Sequence, residues 1–146
     1  MEMDQVNQNE SEEKIYTFPK GIPGFEQHQN FALKQHNEMF NLFQSASQPD
    51  VAFITVNPFD LYPNYEFELS QEAIEDIDVT KREQVFIQCI VTWHSNLSNV
   101  TVNLLAPIVF NTSNNTGKQI ILQNTHYSTK HAPWAEKDQD MKGGDL

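Results

Sequence analysis

The sequence predicts an all-β fold, in which a single domain forms an antiparallel β-barrel or sandwich with one or two short helices. Three observations lead to this prediction. At least seven short runs are rich in β-branched and aromatic residues. Turn-forming residues separate most of these runs, and only one segment carries clear helix signals. A length of 146 residues suits one domain, which can bury a core without disulfide bonds.

The first predicted strands precede residue 57. Residues 15–18 form a short β-type run that ends at Pro19, and a turn-rich stretch follows it. Three further strands are predicted in succession, at residues 31–33, 39–44 and 51–56.

The strongest strand candidates lie in the second half of the chain, at residues 85–93 and 100–105. Within the latter, apolar residues occupy the even positions from Val100, which predicts a strand with one buried face. Residues 108–110 and 119–123 are predicted to follow as strands of a hairpin, because loop 111–117 is rich in Asn, Thr and Gly.

One helix is predicted, over residues 71–77. Ser70 can cap its first turn, and Glu72 is favoured there by the helix dipole. Thr80 and Glu83 have the spacing of a capping box, which predicts a second short helical turn.

The overall charge excludes two classes of partner. Twenty Asp and Glu residues against nine Lys and Arg give a formal net charge of −11. A body of this charge repels the phosphate backbone that supplies most nucleic-acid affinity, and it equally repels an anionic membrane surface. A basic protein partner remains electrostatically favourable.

The charge is unevenly distributed along the chain. Five acids lie in residues 1–13 and four in 136–146, while residues 84–135 contain none. Seven more fall within residues 66–83 and form a local acidic segment. We therefore predict a flexible acidic N-terminus at 1–13, a β domain at 14–132 and a flexible acidic tail at 133–146.

Several features predict a cytoplasmic location. The N-terminus has neither the basic region nor the apolar core of a signal peptide. The longest apolar run, residues 104–110, is too short to span a bilayer. Cys89 is the only cysteine and cannot form an internal disulfide.

Motifs for catalysis and cofactor binding are absent from the sequence. It contains no phosphate-binding glycine loop and no H-E-x-x-H zinc motif. His126 and His131 would point to opposite faces of a strand, so they are interpreted as polar loop residues without a metal. An alternative remains open, a small ligand-binding or hydrolytic β-barrel, whose only plausible polar cluster is Cys89, His94 and His126. A structural oligomer is a further alternative.

Proline and aromatic motifs indicate a family. Residues 18–25 read F-P-K-G-I-P-G-F, residues 57–69 hold four aromatic residues around two prolines, and residues 103–111 read N-L-L-A-P-I-V-F-N. With G-K-Q-I-I-L and Y-S-T-K-H after them, these motifs resemble the FliW family of bacterial flagellar assembly factors. The resemblance covers residues 15–131. Asn57 and Lys130 depart from the family, where Asp and Arg are common.

The resemblance implies a β-barrel-like, non-enzymatic regulator with no cofactor, monomeric when free, and two protein partners. One partner is flagellin, which such a protein holds before export. The other is CsrA, an RNA-binding repressor of flagellin translation. Once flagellin is exported, the freed regulator would bind CsrA away from its RNA-binding surface and lift repression, without touching nucleic acid.

Candidate partner-binding residues fall into four groups, three of which have a structural alternative. The acidic segment could steer a basic partner or be a solvated helix face, and the aromatic and proline-containing groups could be core. The candidates are Glu72, Glu75 and Asp76; Tyr62 and Tyr65; Leu105 and Pro107; and Tyr127 and His131.

Overall fold

The computed structural model describes residues 1–3 and 13–136, and the fold within them is mostly β. The strands are β1 (Glu2–Met3), β2 (Lys14–Thr17), β3 (Asn30–Gln35), β4 (Phe40–Ser45), β5 (Ala52–Val56), β6 (Phe67–Glu68), β7 (Val85–Thr92), β8 (Thr101–Val102), β9 (Ile108–Asn111) and β10 (Thr116–Gln119). The helices are α1 (Pro58–Leu61) and α2 (Gln71–Asp76), with 3₁₀ turns at Arg82–Gln84 and Leu97–Asn99 and a helical turn at 133–136.

Seven of these strands close into a barrel. Their order is β5-β4-β3-β2-β10-β9-β7, and pairing between β5 and β7 completes the ring. Among the pairings of the described residues only β2–β10 is parallel, and it consists of a single bridge between Thr17 and Thr116. Strand β8 extends from β7, and β1 and β6 form a separate two-stranded ribbon. The predicted all-β barrel is confirmed.

Aromatic rings fill the barrel interior. Phe31 and Phe43 stack with their ring centroids 4.5 Å apart, and Phe18 meets Phe43 edge-on at 5.4 Å. Phe110 stacks on Phe86 at 4.7 Å and meets the Phe18 ring at 5.8 Å. Edge-on and offset contacts of this kind stabilise a core beyond the area that it buries.

A second apolar core lies outside the barrel, against the outer faces of β5, β7 and β9. Side chains of β7 alternate between the two cores: Phe86 points into the barrel, while Val85, Ile87 and Cys89 point outward. Burial on both faces explains why residues 85–91 of this strand are apolar except for Gln88. Helices α1 and α2, strand β6 and residues 100–104 supply the covering layer.

Several predicted elements match the structure, whereas one predicted strand is shorter and another is displaced. Residues 100–105 contribute only β8, because Asn103 Oδ1 accepts hydrogen bonds from the amides of Leu105 and Ala106 and turns the chain. Val100, Val102 and Leu104, the even positions of this segment, are nevertheless fully buried, as the alternation of apolar residues predicts. The predicted strand at 119–123 is displaced, since β10 ends at Gln119.

The helical segments show one omission and one shift. Helix α1 was not predicted; Asn57 Oδ1 accepts a hydrogen bond from the Phe59 amide at 2.9 Å, and Pro58 occupies its first turn. The second predicted turn forms one residue later. Gln84 Oε1, rather than Glu83, accepts from the Thr80 and Lys81 amides at 2.8 and 3.0 Å.

The chain ends combine described and undescribed residues. Glu2 and Met3, within the segment predicted to be flexible, pair with β6, and Met3 is 0% exposed. The rest of the predicted flexible ends, residues 4–12 and 137–146, lies outside the described residues. No helix in the described part of the chain has the length and apolarity to cross a membrane.

Gly117 is required where β10 meets the Phe18 ring. A Cβ at this position would lie 2.5 Å from Phe18 Cζ and 2.7 Å from Cε2. We expect Gly117→Ala to lower the free energy of unfolding by about 1–3 kcal/mol in urea denaturation, because the packed ring must move. The loss should shrink in a Phe18→Leu background, which shortens the side chain. An equal loss in both backgrounds would contradict this explanation.

Candidate protein-interaction surfaces

One surface is acidic. Glu66, Glu68, Glu72, Glu75 and Asp78 are all exposed and form what we term the acidic face. Asp76 differs from them, since its Oδ2 accepts a 2.6 Å ion-paired hydrogen bond from Lys118 Nζ. This bond lowers the pKa of Asp76. Of the three predicted acidic candidates, Glu72 and Glu75 are therefore available to a partner, whereas Asp76 attaches α2 to β10.

Helix α2 is held in place at both ends. Ser70 Oγ accepts a hydrogen bond from the Ala73 amide at 3.1 Å, as predicted. At the other end, the Ile77 carbonyl accepts from Asn111 Nδ2 at 2.7 Å and Asn114 Nδ2 at 3.1 Å. A six-residue helix is unstable alone, so the β9–β10 hairpin fixes the position of α2 and of its two glutamates in the acidic face.

Two carboxylates of the β1–β6 ribbon oppose each other. Glu2 lies directly across from Glu68 in the register, and both side chains are exposed. Like charges at this position destabilise a strand pair. The ribbon therefore adds to the negative potential of the acidic face at a local cost in stability.

The structure brings four predicted candidates into one aromatic cluster, although they come from distant parts of the sequence. The Tyr65 and Tyr127 ring centroids are 4.7 Å apart, and those of Tyr62 and His131 are 5.7 Å apart. The Tyr127 and His131 rings lie 6.1 Å apart and link the two pairs. This cluster packs the segment around residue 127 against the second core.

Tyr65 belongs to the core. Its side chain is 1% exposed, and its hydroxyl donates to the Leu104 carbonyl at 2.7 Å. Tyr62 is half-buried, and its hydroxyl donates to Glu136 Oε2 at 2.8 Å. Burial is the main cause that raises the pKa of both hydroxyls, so both stay protonated at neutral pH. Of these two tyrosines only Tyr62 has surface to offer a partner.

Leu105 and Pro107 connect two neighbouring segments through their backbone. The Leu122 amide donates to the Leu105 carbonyl at 2.9 Å, and the Ile120 amide donates to the Pro107 carbonyl at 3.0 Å. Pro107 is buried, whereas Leu105 is half-buried. This arrangement favours a packing role for Pro107 and leaves part of the Leu105 side chain accessible.

A hydrogen bond that His131 accepts within its loop depends on pH. Its Nε2 accepts a hydrogen bond from the Ser128 amide at 2.9 Å, which requires a neutral ring. Burial lowers the pKa of His131; His126 acts in the same direction and Glu136 opposes both. The unfolded chain therefore binds this proton more tightly than the folded chain does.

We expect the stability that neutral His131 provides to be complete above its unfolded pKa of about 6.5 and to decline as pH falls toward the lower folded pKa. Urea denaturation at pH about 7.5 and about 5.5 should show a larger loss for the wild-type chain than for His131→Gln, which cannot take up the proton. Equal pH dependence of the two chains would contradict this assignment.

A second surface, which the sequence did not predict, is an apolar groove of about 550 Å³. Phe40, Leu42, Ile54 and Trp93 line it, together with His36, Asn37 and Asn41. The Phe40 and Trp93 rings meet edge-on at 5.6 Å, and Trp93 is 53% exposed. The lining contains no Asp, Glu, Lys or Arg, which sets the groove apart in a chain of net charge −11.

The two surfaces are built on different strands of the barrel. The groove is on the outer face of β4 and β5, where Leu42 pairs with Ile54. The acidic face is anchored to β10, which lies three strands away in either direction around the ring. Both surfaces adjoin the second core, since Phe40 and Ile54 of the groove and Ile74 of α2 pack against it.

The three residues of the alternative polar cluster differ in their surroundings. Cys89 is fully buried in the second core, and burial raises the pKa of its thiol, whereas His94 and His126 are exposed. Within the described ranges, no group of three His, Cys, Asp or Glu side chains could hold a metal ion. The geometry does not favour nucleophilic chemistry at Cys89, because a buried neutral thiol is inert.

Comparison with known proteins gives a consistent result. The model of the FliW protein family matches residues 3–133. The chain is 40% identical over 123 residues to the flagellar assembly factor FliW of Anoxybacillus flavithermus, covering 84% of this chain and 85% of that protein. It is 39% identical over 128 residues to the Clostridium novyi protein of the same name, covering 86% and 89%. A crystal structure of the flagellar assembly factor FliW superposes with a TM-score of 0.79 at 38% identity, covering 82% of this chain and 84% of that one.

Proposed function

This chain belongs to the FliW family of flagellar assembly factors, and we propose that it regulates flagellin synthesis in the cytoplasm by binding two proteins in turn. While flagellin awaits export, the chain holds it. Once flagellin leaves, the free chain binds the translational repressor CsrA and relieves repression. The partners are those that the family resemblance implies.

The observation that carries this proposal is the pair of chemically different surfaces built on different strands of the barrel. One is exposed and acidic, and its α2 part is fixed by the β9–β10 hairpin. The other is apolar, uncharged and concave. Two surfaces with such different chemistry suit two partners, and the second core that both adjoin offers a route for coupling between them.

The acidic face suits the RNA-binding repressor. A protein that binds RNA presents basic side chains, and Glu72 and Glu75 would accelerate its approach. The same charges repel RNA, which favours binding away from the RNA surface. The face would therefore recruit the repressor while the chain itself makes no nucleic-acid contact.

The apolar groove suits flagellin. The family resemblance implies that the terminal regions of this partner are helical and apolar. An amphipathic helix binds by placing its apolar side in such a groove. Trp93 and Phe40 are the residue types that dominate binding energy at interfaces. Their ring contact gives the groove a wall that is already formed.

The primary experiment is co-purification of the chain with cytosolic flagellin and with CsrA, followed by competition between the two. We expect both to bind and flagellin to reduce the binding of CsrA. Binding of neither protein would overturn the proposal.

Surface variants should separate the partners. Trp93→Ala is expected to weaken flagellin binding about 30-fold, the effect of losing a hot spot of about 2 kcal/mol, and to leave CsrA binding unchanged. The double variant Glu72→Gln, Glu75→Gln should slow CsrA association about 2–10-fold at low salt and leave flagellin unaffected. Stopped-flow fluorescence and calorimetry measure both effects.

A matched control is available for the charge effect. Asp60 is exposed on α1, outside the acidic face, and Asp60→Asn removes one charge there. We expect a smaller change in the CsrA association rate from this variant than from either glutamate change alone. Equal effects would show that net charge, rather than the acidic face, controls association.

A further inference from the structure

Strand β6 presents one edge of its backbone to β1 and the other edge to a cleft. The Leu69 amide donates to the Met1 carbonyl at 2.7 Å, and the Met1 amine donates back at 3.4 Å, so these residues form a hydrogen-bonded pair. Such pairs alternate with non-hydrogen-bonded ones in an antiparallel ladder. Glu68 and Glu2 form a non-hydrogen-bonded pair, so the N–H and C=O of Glu68 point away from β1.

The segment across this cleft, residues 120–122, also contains a residue whose backbone N–H and C=O point away from the neighbouring segment. The Ile120 and Leu122 amides donate to the carbonyls of Pro107 and Leu105, a spacing of two residues that an extended chain produces. Backbone groups of the intervening residue point the opposite way in such a chain. The N–H and C=O of Ile121 are thus directed away from residues 105–107.

A cleft of about 460 Å³ separates the two segments, lined by residues 66–70 and 120–125. Its rim carries the exposed carboxylates of Glu66 and Glu68 on one side, and Ile121, 58% exposed, on the other. A hydrogen bond from the Glu66 amide to the Tyr127 hydroxyl, 3.2 Å long, links the two sides at one position.

We propose that this cleft binds an extended peptide segment of a protein partner, with apolar and basic residues in alternation, which adds as a strand between β6 and residues 120–123. The inference rests on the proposed function for the presence of a basic protein partner, and it specifies the form of the bound segment. Charge complementarity identifies the occupant, because Glu66 and Glu68 stand at the rim beside Glu2.

Strand addition explains the features of both walls together. Backbone hydrogen bonds to Glu68 and Ile121 would supply affinity, and alternate side chains would supply specificity. Residues of the peptide that face inward would meet the apolar side chains of Phe67 and Leu122, which belong to or pack against the second core. Residues that face outward would lie beside the glutamates.

The probe is an acetylated and amidated hexapeptide, (Lys-Val)₃, titrated into the ¹⁵N-labelled full chain and followed by amide chemical shifts. Shifts should concentrate at residues 66–70 and 120–125. We expect (Glu-Val)₃ to bind at least about tenfold more weakly. Two further (Lys-Val)₃ peptides carry backbone N-methyl groups, one on its Lys residues and the other on its Val residues. Both keep the charge but lose backbone N–H donors, and we expect both to lose binding. Undiminished binding of either methylated peptide would overturn strand addition.

Two protein variants test the wall independently of the peptide chemistry. Glu68→Gln and Glu68→Pro remove the same charge, but only the proline removes the outward N–H, at an edge position that tolerates it. We expect Glu68→Pro to bind (Lys-Val)₃ at least about tenfold more weakly than Glu68→Gln. Equal binding would overturn the proposal. Should Glu68→Pro fail to fold, Ile121→Pro against Ile121→Ala provides the same comparison on the other wall.

Hydrogen exchange of the free chain distinguishes other occupants. We expect the Glu68 and Ile121 amides to exchange rapidly in the free chain and to become protected by (Lys-Val)₃. If these amides are protected in the free chain at every protein concentration, the cleft is occupied by this chain's own terminal residues. If the protection increases with protein concentration, the cleft is occupied by a second copy of the chain. Either result would overturn the proposal. If CsrA binds both Glu68 variants equally, the proposed function stands and the cleft proposal fails.

Discussion

Phe110→Ala is expected to lower the free energy of unfolding by about 3–5 kcal/mol, a large share of the 5–15 kcal/mol that stabilises a typical domain. The Phe110 side chain is fully buried, and its ring contacts four other aromatic rings. The centroid distances are 4.7 Å to Phe86, 4.9 Å to Tyr16, and 5.8 Å each to Phe18 and Phe43. Truncation leaves a cavity that the closed barrel cannot collapse to fill. Urea denaturation followed by tryptophan fluorescence measures the loss.

Phe25→Ala is the matched control for this prediction. It deletes the same atoms, but Phe25 is half-buried at the edge of the same cluster, where its ring meets Phe53 at 5.3 Å. Solvent can fill the space left there, so we expect a loss of about 1–2 kcal/mol. Similar losses from the two substitutions would show that the interior rings are not the main source of stability.

Asn111→Ala is the second substitution with a large expected effect, about 2–4 kcal/mol. The side chain is 0% exposed; its Nδ2 donates to the Ile77 carbonyl at 2.7 Å, and its Oδ1 accepts from the Ser113 amide at 2.9 Å. Removal breaks both bonds, leaves the buried Ile77 carbonyl with the longer bond from Asn114 Nδ2, and leaves the space of a fully buried side chain unfilled. Because the bond to Ile77 holds the end of α2, hydrogen exchange across residues 71–79 should accelerate more than exchange in β3 and β4.

Asn114→Ala provides the comparison. Asn114 Nδ2 donates to the same Ile77 carbonyl at 3.1 Å, but the residue is exposed, so water can replace the lost bond. We expect a loss of about 0.5–1 kcal/mol. The explanation would be wrong if Asn111→Ala left exchange in α2 unchanged while the chain lost stability elsewhere.

Much of the fold could be predicted because local signals agreed with it. The β-branched run that became β7 and the Ser70 cap of α2 lie within single segments, where propensity and pattern act directly. The single parallel bridge between Thr17 and Thr116 joins residues far apart in the sequence, and no local pattern indicates it. Asn57 and Pro58 directly follow the predicted strand 51–56, and tertiary structure makes this pair the cap and first residue of α1.

The interaction surfaces were only partly predictable. Helical spacing placed Glu72 and Glu75 on an exposed face, but nothing in the sequence paired Asp76 with Lys118, which lies 42 residues later. Tyr65 belongs to an aromatic segment that could be core or surface, and tertiary packing decides between them. The groove was missed because Leu42 and Ile54 alternate with the core residues Phe43 and Phe53. The direction in which the sheet curves to close the barrel decides that the Leu42–Ile54 pair, rather than the Phe43–Phe53 pair, faces outward.

The single bridge between Thr17 and Thr116 has a consequence for biosynthesis. Strand β2 leaves the ribosome roughly 100 residues before its neighbour β10, and at typical elongation rates the interval is about 5–20 s. The strands that form first during translation, β2 to β5, can already pair with one another in sequence order. The β5 edge of this nascent sheet is open until β7 is made, but the β2 edge stays open until translation is nearly complete, so chaperones or neighbouring nascent chains can reach it for longer.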